Sequence, residues 1–202
     1  MKRALFLMLA VVSLTACAAE TATDLLESYE EVDPNTILDA PSAVPGTYSP
    51  EHRDLVARGE YMVELLGCGV CHTNGALVGD PDFDRPLAGS ATGIAYADPM
   101  GEKHPGVIYP SNITPDDKTG IGTWTDLQIA NAIRAGIGRH GSRRIAWMPW
   151  QGYARISDDD VNAIVSYLRT IKPVKHQVPD EVAPGKRATH PYVYFGVYRS
   201  KS

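Results

Sequence analysis

Apolar residues recur at helical spacing in three stretches of the chain, and each stretch carries its own start and stop signals. In the first, Leu55, Tyr61, Met62, Leu65 and Leu66 supply the expected apolar face. Ser49 is placed to cap this helix, Pro50 suits its first position, and Glu51 sets an anion where the helix dipole favours one. Gly67 and Gly69 stop it. Gly59 in its interior costs up to about 1 kcal/mol against Ala, a cost that is reasonable where another helix crosses closely. A second helix opens at Thr125, where Gln128 completes a capping box and Trp124 can staple onto Ile129, and it ends near Gly136. The third opens at Ser157 with Asp158, Asp159 and Asp160 in its first turn and Ile156 set to staple onto Val161. It runs through Ile164, Val165 and Leu168 to a stop before Pro173. Further on, Tyr192-Val193-Tyr194-Phe195-Gly196-Val197-Tyr198 alternates aromatic residues as a strand would, and packing back onto the domain is expected ahead of docking on a partner.

Two regions before the first helix read differently. Met1-Lys2-Arg3 is followed by an apolar run from Ala4 to Leu14, too short to span a bilayer, which reads as a secretory signal. Leu14-Thr15-Ala16-Cys17 then looks like a bacterial lipobox, so residues 1–16 are expected to be removed and Cys17 to carry the lipid anchor. Three acyl chains would hold such a residue firmly, each buried methylene contributing about 0.8 kcal/mol. The alternative is a cleaved signal with an incidental cysteine. From Cys17 to His52 there is no Lys or Arg, while Glu20, Asp24, Glu27, Glu30, Glu31, Asp33 and Asp39 repel one another and four prolines interrupt helices. Residues 17–49 read as an acidic flexible tether with a reach on the order of 30 Å. The competing reading has part of it packed on the domain through Leu25, Leu26 and Ile37.

Composition narrows the class. With 202 residues, 44% hydrophobic and 21% charged, the chain suits one globular domain with long irregular connections and is neither collagenous, fully disordered nor multi-spanning. Lys and Arg number 19 against 24 Asp and Glu, so no basic excess points to nucleic acid.

Cys68-Gly69-Val70-Cys71-His72 at the end of the first helix is the decisive motif. Two thiols three positions apart can each add to a vinyl group of one haem, and the adjacent His72 then sits beneath the iron as its proximal ligand. Zinc would want four ligands and the chain has no second cysteine pair, while a thioredoxin-like centre would want a strand-turn-helix context. The motif occurs once, which implies one covalently attached haem c.

A helix ending in this motif, a long loop, and a capped helix of the form Ser-Asp-x-Asp-Val-x-Ala-Ile-x-x-Tyr-Leu-Arg resemble a class I cytochrome c. More narrowly, Asn112-Ile113-Thr114-Pro115-Asp116, Thr119-Gly120-Ile121-Gly122-x-Trp124-Thr125 and Met148-Pro149-x-x-x-Tyr153 resemble the haem domains of cytochrome c subunits serving membrane-bound bacterial alcohol dehydrogenases. The resemblance runs from Glu60 to Val174, roughly half the chain. Those subunits usually carry three haem motifs, and this chain carries one. The implied fold is all-α, with long irregular loops around the haem, over a domain of residues 50–174 followed by a C-terminal extension, 175–202. The implied function is single-electron transfer at the periplasmic face of the bacterial envelope, between a dehydrogenase or respiratory complex and its acceptor. Other cytochromes or a terminal oxidase are the further partners. A fixed subunit of a dehydrogenase, and a haem enzyme or gas sensor with an open iron position, are the alternatives.

The resemblance also assigns residues. Met148 is the expected sixth ligand, a soft thioether that favours ferrous iron, enclosed by Trp147, Pro149 and Trp150. A core methionine is the plain alternative, with Met100, His104 and His140 as other ligands. Pro86 is expected to lend its carbonyl to the Nδ1 proton of His72; its plain counterpart is a turn proline. Asn112 and Thr114 are expected along a haem edge, and Trp124 either offers its indole proton to a propionate or fills the core. Arg139, His140, Arg143 and Arg144 form a cationic cluster that neutralises propionates, steers an acidic partner, or is a solvated loop.

Overall fold

The computed structural model describes residues 29–31, 38–96, 103–142, 148–194 and 198–200. The signal and lipobox with Cys17, the anchors Leu25, Leu26 and Ile37, and Met100, Arg143, Arg144, Trp147 and Phe195–Val197 lie outside the described residues.

Three longer helices build the core. The first, α1 (Pro50–Leu65), begins as its sequence dictates, with the Ser49 hydroxyl accepting from the His52 N–H at 3.2 Å and Pro50 in its first turn. The left-handed Gly67 (φ 65°) then turns the chain into α2 (Cys68–His72). The helix α3 (Asp126–Ala135) carries both halves of the Thr125–Gln128 capping box and ends on left-handed Gly136, φ 62°. A single turn, α4 (Trp150–Tyr153), precedes α5 (Asp158–Thr170), whose Ser157 cap accepts from the Asp160 N–H at 3.1 Å.

The helices α1 and α5 cross at Gly59. A Cβ there would sit 2.0 Å from the Ala163 carbonyl oxygen and 2.6 Å from Tyr167 Cβ, so only glycine permits this approach. That crossing decides which face of α1 is buried. Val56, Gly59 and Val63 turn inward, Met62 and Leu66 flank them, and the expected core residues Tyr61 and Leu65 stay about 60% exposed. Ile121, Ile129, Ile133, Val161, Ile164, Val165, Tyr167 and Leu168 complete one continuous core. At its margin Arg58 pairs with Asp160 (2.6 Å) and Arg134 with Asp158 (2.7 Å).

The all-α expectation holds only in part. The described residues also form a five-stranded sheet from β1 (Tyr29–Glu31), β2 (Gly93–Tyr96), β3 (Gly106–Ile108), β4 (Tyr192–Tyr194) and β5 (Tyr198–Ser200), in the order β1-β5-β4-β2-β3. All pairings are antiparallel except β2 with β4. The alternating stretch from Tyr192 supplies β4, and its return to the domain joins β1 and β5 to the internal β2–β3 hairpin in one sheet of strands three and four residues long. Val107 and Val182 exchange reciprocal 2.8 Å hydrogen bonds, and Val193 is fully buried.

The acidic segment before α1 also has places on the domain where it is described. Its Tyr29–Glu31 pairs with β5, the Ala40 N–H donates to Glu64 Oε1 (3.0 Å), the Tyr167 hydroxyl donates to the Pro41 carbonyl (2.5 Å), and the Val44 N–H donates to the Thr170 carbonyl (2.7 Å).

Candidate haem site

Helical spacing places Cys68, Cys71 and His72 on one face of α2, since positions three and four apart lie over one another. All three are half-buried, and Cys68 packs against the core. Both thiols are free of disulfides, and burial pushes Cys68 up to about 11 and Cys71 upward as well. A redox dithiol needs the opposite shift, toward thiolate. Among the described residues no three His, Cys, Asp or Glu side chains gather to hold a bare metal ion.

His72 is oriented from behind. Its Nδ1 lies 2.6 Å from the Ser111 carbonyl oxygen, so Nδ1 carries the proton and donates, and Nε2 keeps the lone pair a metal needs. Pro86, expected at that place, does not take it. The Thr73 hydroxyl accepts from the Leu87 N–H (3.1 Å) and the Gly89 N–H donates to the His72 carbonyl (2.7 Å). The 86–89 turn is thereby laid along the backbone of the motif, while the segment ending in Ser111 reaches the ring. Gly89 permits the crossing of these segments: with φ at 85°, a Cβ would meet the Asn112 nitrogen at 2.7 Å.

Asn112 is buried and its side chain is consumed by protein. Its Nδ2 donates to Thr119 Oγ1 (3.1 Å) and to the Val174 carbonyl (2.7 Å), and its Oδ1 accepts from the N–H and the hydroxyl of Thr114 at 2.9 and 2.8 Å. The residue ties the loop that orients His72 to the chain leaving α5. Thr114, fully buried, is part of the same knot. Trp124 is half-buried against the core, and beside it Lys118, Arg139 and His140 line an open polar recess of about 270 Å³. Arg139 donates to Thr123 Oγ1 at 2.9 Å.

Met148 packs against the same core as Cys68, Met62, Leu66, Ile113 and Ile156. The link from Met148 to the motif is Tyr153, whose hydroxyl donates to the Leu66 carbonyl at 3.1 Å. Burial pushes its phenol up to about 12, with the nearby thiols of Cys68 and Cys71 adding to the shift. Three residues acquire roles that spacing alone did not give them: Ser111, Tyr153 and Arg169. The Arg169 guanidinium donates to the Ile121 and Gly122 carbonyls (3.1 and 3.2 Å), to the Trp124 carbonyl and to Asp126, pinning α5 to the turn that starts α3. Only its place at the end of the Tyr-Leu-Arg string marked it.

The donor set fits a covalently held haem: two protonated thiols, an imidazole with Nδ1 already engaged, and a thioether on the core that Cys68 also packs against. No family model matches the chain. It is 37% identical over 139 residues to the fructose dehydrogenase cytochrome subunit of Gluconobacter japonicus, covering 68% of this chain and 26% of that protein. Against the cytochrome c subunit of the quinone alcohol dehydrogenase of Gluconobacter oxydans it is 38% identical over 129 residues, 62% of this chain and 24% of the relative. Against the gluconate 2-dehydrogenase cytochrome c subunit of Pantoea cypripedii it is 34% identical over 131 residues, 64% and 26%. The chain thus spans about a quarter of the length of these curated relatives. It is a homologue of cytochrome c subunits of bacterial dehydrogenases, and that relationship implies covalently bound haem c.

Proposed function

We propose that the chain is a monohaem c-type cytochrome that passes single electrons between a dehydrogenase and its acceptor and catalyses no reaction of its own. The observation that carries this reading is the motif helix, with His72 Nδ1 held by the Ser111 carbonyl and Cys68 packed on the core that Met148 also packs against. Cys68 and Cys71 would attach the haem, His72 Nε2 and Met148 Sδ would hold its iron, and the haem would supply one-electron chemistry. The helical part follows the class I cytochrome arrangement. Trp124 and Arg139, beside the open recess, serve the polar edge of the site. Their neighbours Arg143 and Arg144 belong to the same proposal, and so do the lipid anchor at Cys17 and a place facing the periplasm.

Haem quantified as its pyridine complex is expected at one per chain, with a low-spin reduced spectrum. The oxidised protein should show the weak near-infrared sulfur-to-iron band, and Met148→Ala should remove it. A wild type that is high-spin and binds carbon monoxide at once would overturn the ligand set. A permanent place in a dehydrogenase complex is favoured by the relatives being subunits of dehydrogenases. Co-purification from solubilised membranes at high salt distinguishes it from a mobile carrier.

A further inference from the structure

On the side of α2 away from its thiols lies a cleft of about 400 Å³, with an apolar interior formed by Leu38, Val63, Val70, Phe83 and Leu87. Its walls are fixed. Segment 38–41 is held by the Ala40–Glu64 and Pro41–Tyr167 hydrogen bonds, and Leu87 is anchored through Thr73. Phe83 stands at its mouth 73% exposed, so it extends the apolar surface of the cleft to where a partner would meet it.

The charged residues lining this cleft are acidic. Asp39 and Glu64 line it, and among the described residues no Lys, Arg or His does. Asp80 and Asp84, both exposed, flank Phe83 on its turn, while Asp82 of that turn is neutralised by Arg85 at 2.6 Å. An apolar pocket bordered by carboxylates matches a surface with an apolar tip ringed by cations, because a buried anchor gives affinity and the charges steer the encounter.

We propose that this cleft is the docking face for a redox partner presenting lysines or arginines around an apolar side chain. The position of the cleft gives the contact its purpose. Gly69 and Val70, the two residues between the cysteines, form part of its lining, so a partner seated there touches the backbone that joins Cys68 to Cys71. Resting on the haem reading above, this makes the motif helix the electron's point of entry or exit.

The test uses haem-loaded protein and a lysine-rich mitochondrial cytochrome c as the probe, with electron exchange followed by stopped flow. Asp39, Asp80 and Asp84 are exposed, and so is Phe83, so Asp39→Lys/Asp80→Lys/Asp84→Lys and Phe83→Ser spare the core. The triple variant is expected to slow exchange at low salt by about tenfold or more and to flatten its salt dependence. Phe83→Ser should slow it by about threefold at every salt concentration. Reduction by an uncharged quinol, the visible spectrum and the midpoint should stay as in the wild type. A triple variant within twofold of the wild type overturns the docking face. So does one that changes only thermal stability, the result expected if the chain's own residues 32–37 filled the cleft. A wild type without attached haem would instead sink the functional reading itself, an outcome visible in the spectrum before any rate is measured.

Discussion

The His72 side and the Met148 side of the candidate haem site are held in different ways. His72 sits on a helix that also carries both thiols, its Nδ1 is engaged by Ser111, its carbonyl by Gly89, and the segment behind it is knotted by Asn112 and Thr114. Met148 precedes a single helical turn without a side-chain cap, and among the described residues its backbone partner is the Trp150 N–H, which donates to its carbonyl at 2.7 Å. Among the described residues its further support is apolar contact and the Tyr153 hydroxyl on Leu66. The first side is directional and redundant, while the second rests on packing, which tolerates adjustment. Substitutions on the His72 side should therefore abolish a property outright, and those around Met148 should tune one.

The strongest way to break that contrast is Cys68→Ser/Cys71→Ser. Covalent attachment should be lost completely, read as absence of haem staining on a denaturing gel; retained staining would contradict the motif's assignment. Met148→His makes the two sides chemically alike. The protein should stay low-spin while its midpoint falls by on the order of 0.1 V or more, within the ~0.8 V that axial ligands command, as a spectroscopic redox titration would show. Asn112→Ala should cost about 2–4 kcal/mol of stability in urea unfolding, because the buried Thr114 N–H and hydroxyl and the Val174 carbonyl each lose a partner. A loss under 1 kcal/mol would show that the knot is not what holds the His72 side.

The smallest effect belongs to Tyr153. Removing its hydroxyl as Tyr153→Phe deletes one partly buried hydrogen bond, worth about 1 kcal/mol. The phenol also gives a pH signature. Raised in the folded protein, chiefly by burial, it favours the folded state fully while both forms are protonated, and that contribution is lost as pH rises above about 10, the ordinary value of a tyrosine. Unfolding midpoints measured across that window should fall more steeply in the wild type than in Tyr153→Phe.

Local signals were legible in the sequence because they act within about four residues. Ser49, the Thr125–Gln128 box, Ser157 and the turn at Gly67 all start or stop helices where the chain predicts, and the Cys68–His72 spacing places its three side chains on one face by helix geometry alone. The crossing at Gly59 was legible too, as a glycine whose helical cost needed a neighbour.

What only the tertiary structure decided are choices between equivalent local options. Two apolar faces were open to α1, and contact with Ala163 and Tyr167, more than a hundred residues away, turned Val56 and Val63 inward and left Tyr61 and Leu65 outside. More than one backbone carbonyl could have met His72 Nδ1; Ser111, 39 positions on, took it in place of Pro86 because Thr73 and Gly89 had already fixed the nearer turn. The sheet joins strands from both ends of the chain to an internal hairpin; the aromatic alternation from Tyr192 announced β4, while the partners it would pair with were not marked by any local pattern. Backbone groups are chemically alike from residue to residue, so composition and spacing determined the helices and the chemistry of the motif, while the pairing of distant carbonyls and N–H groups was settled only when the whole chain closed around one core.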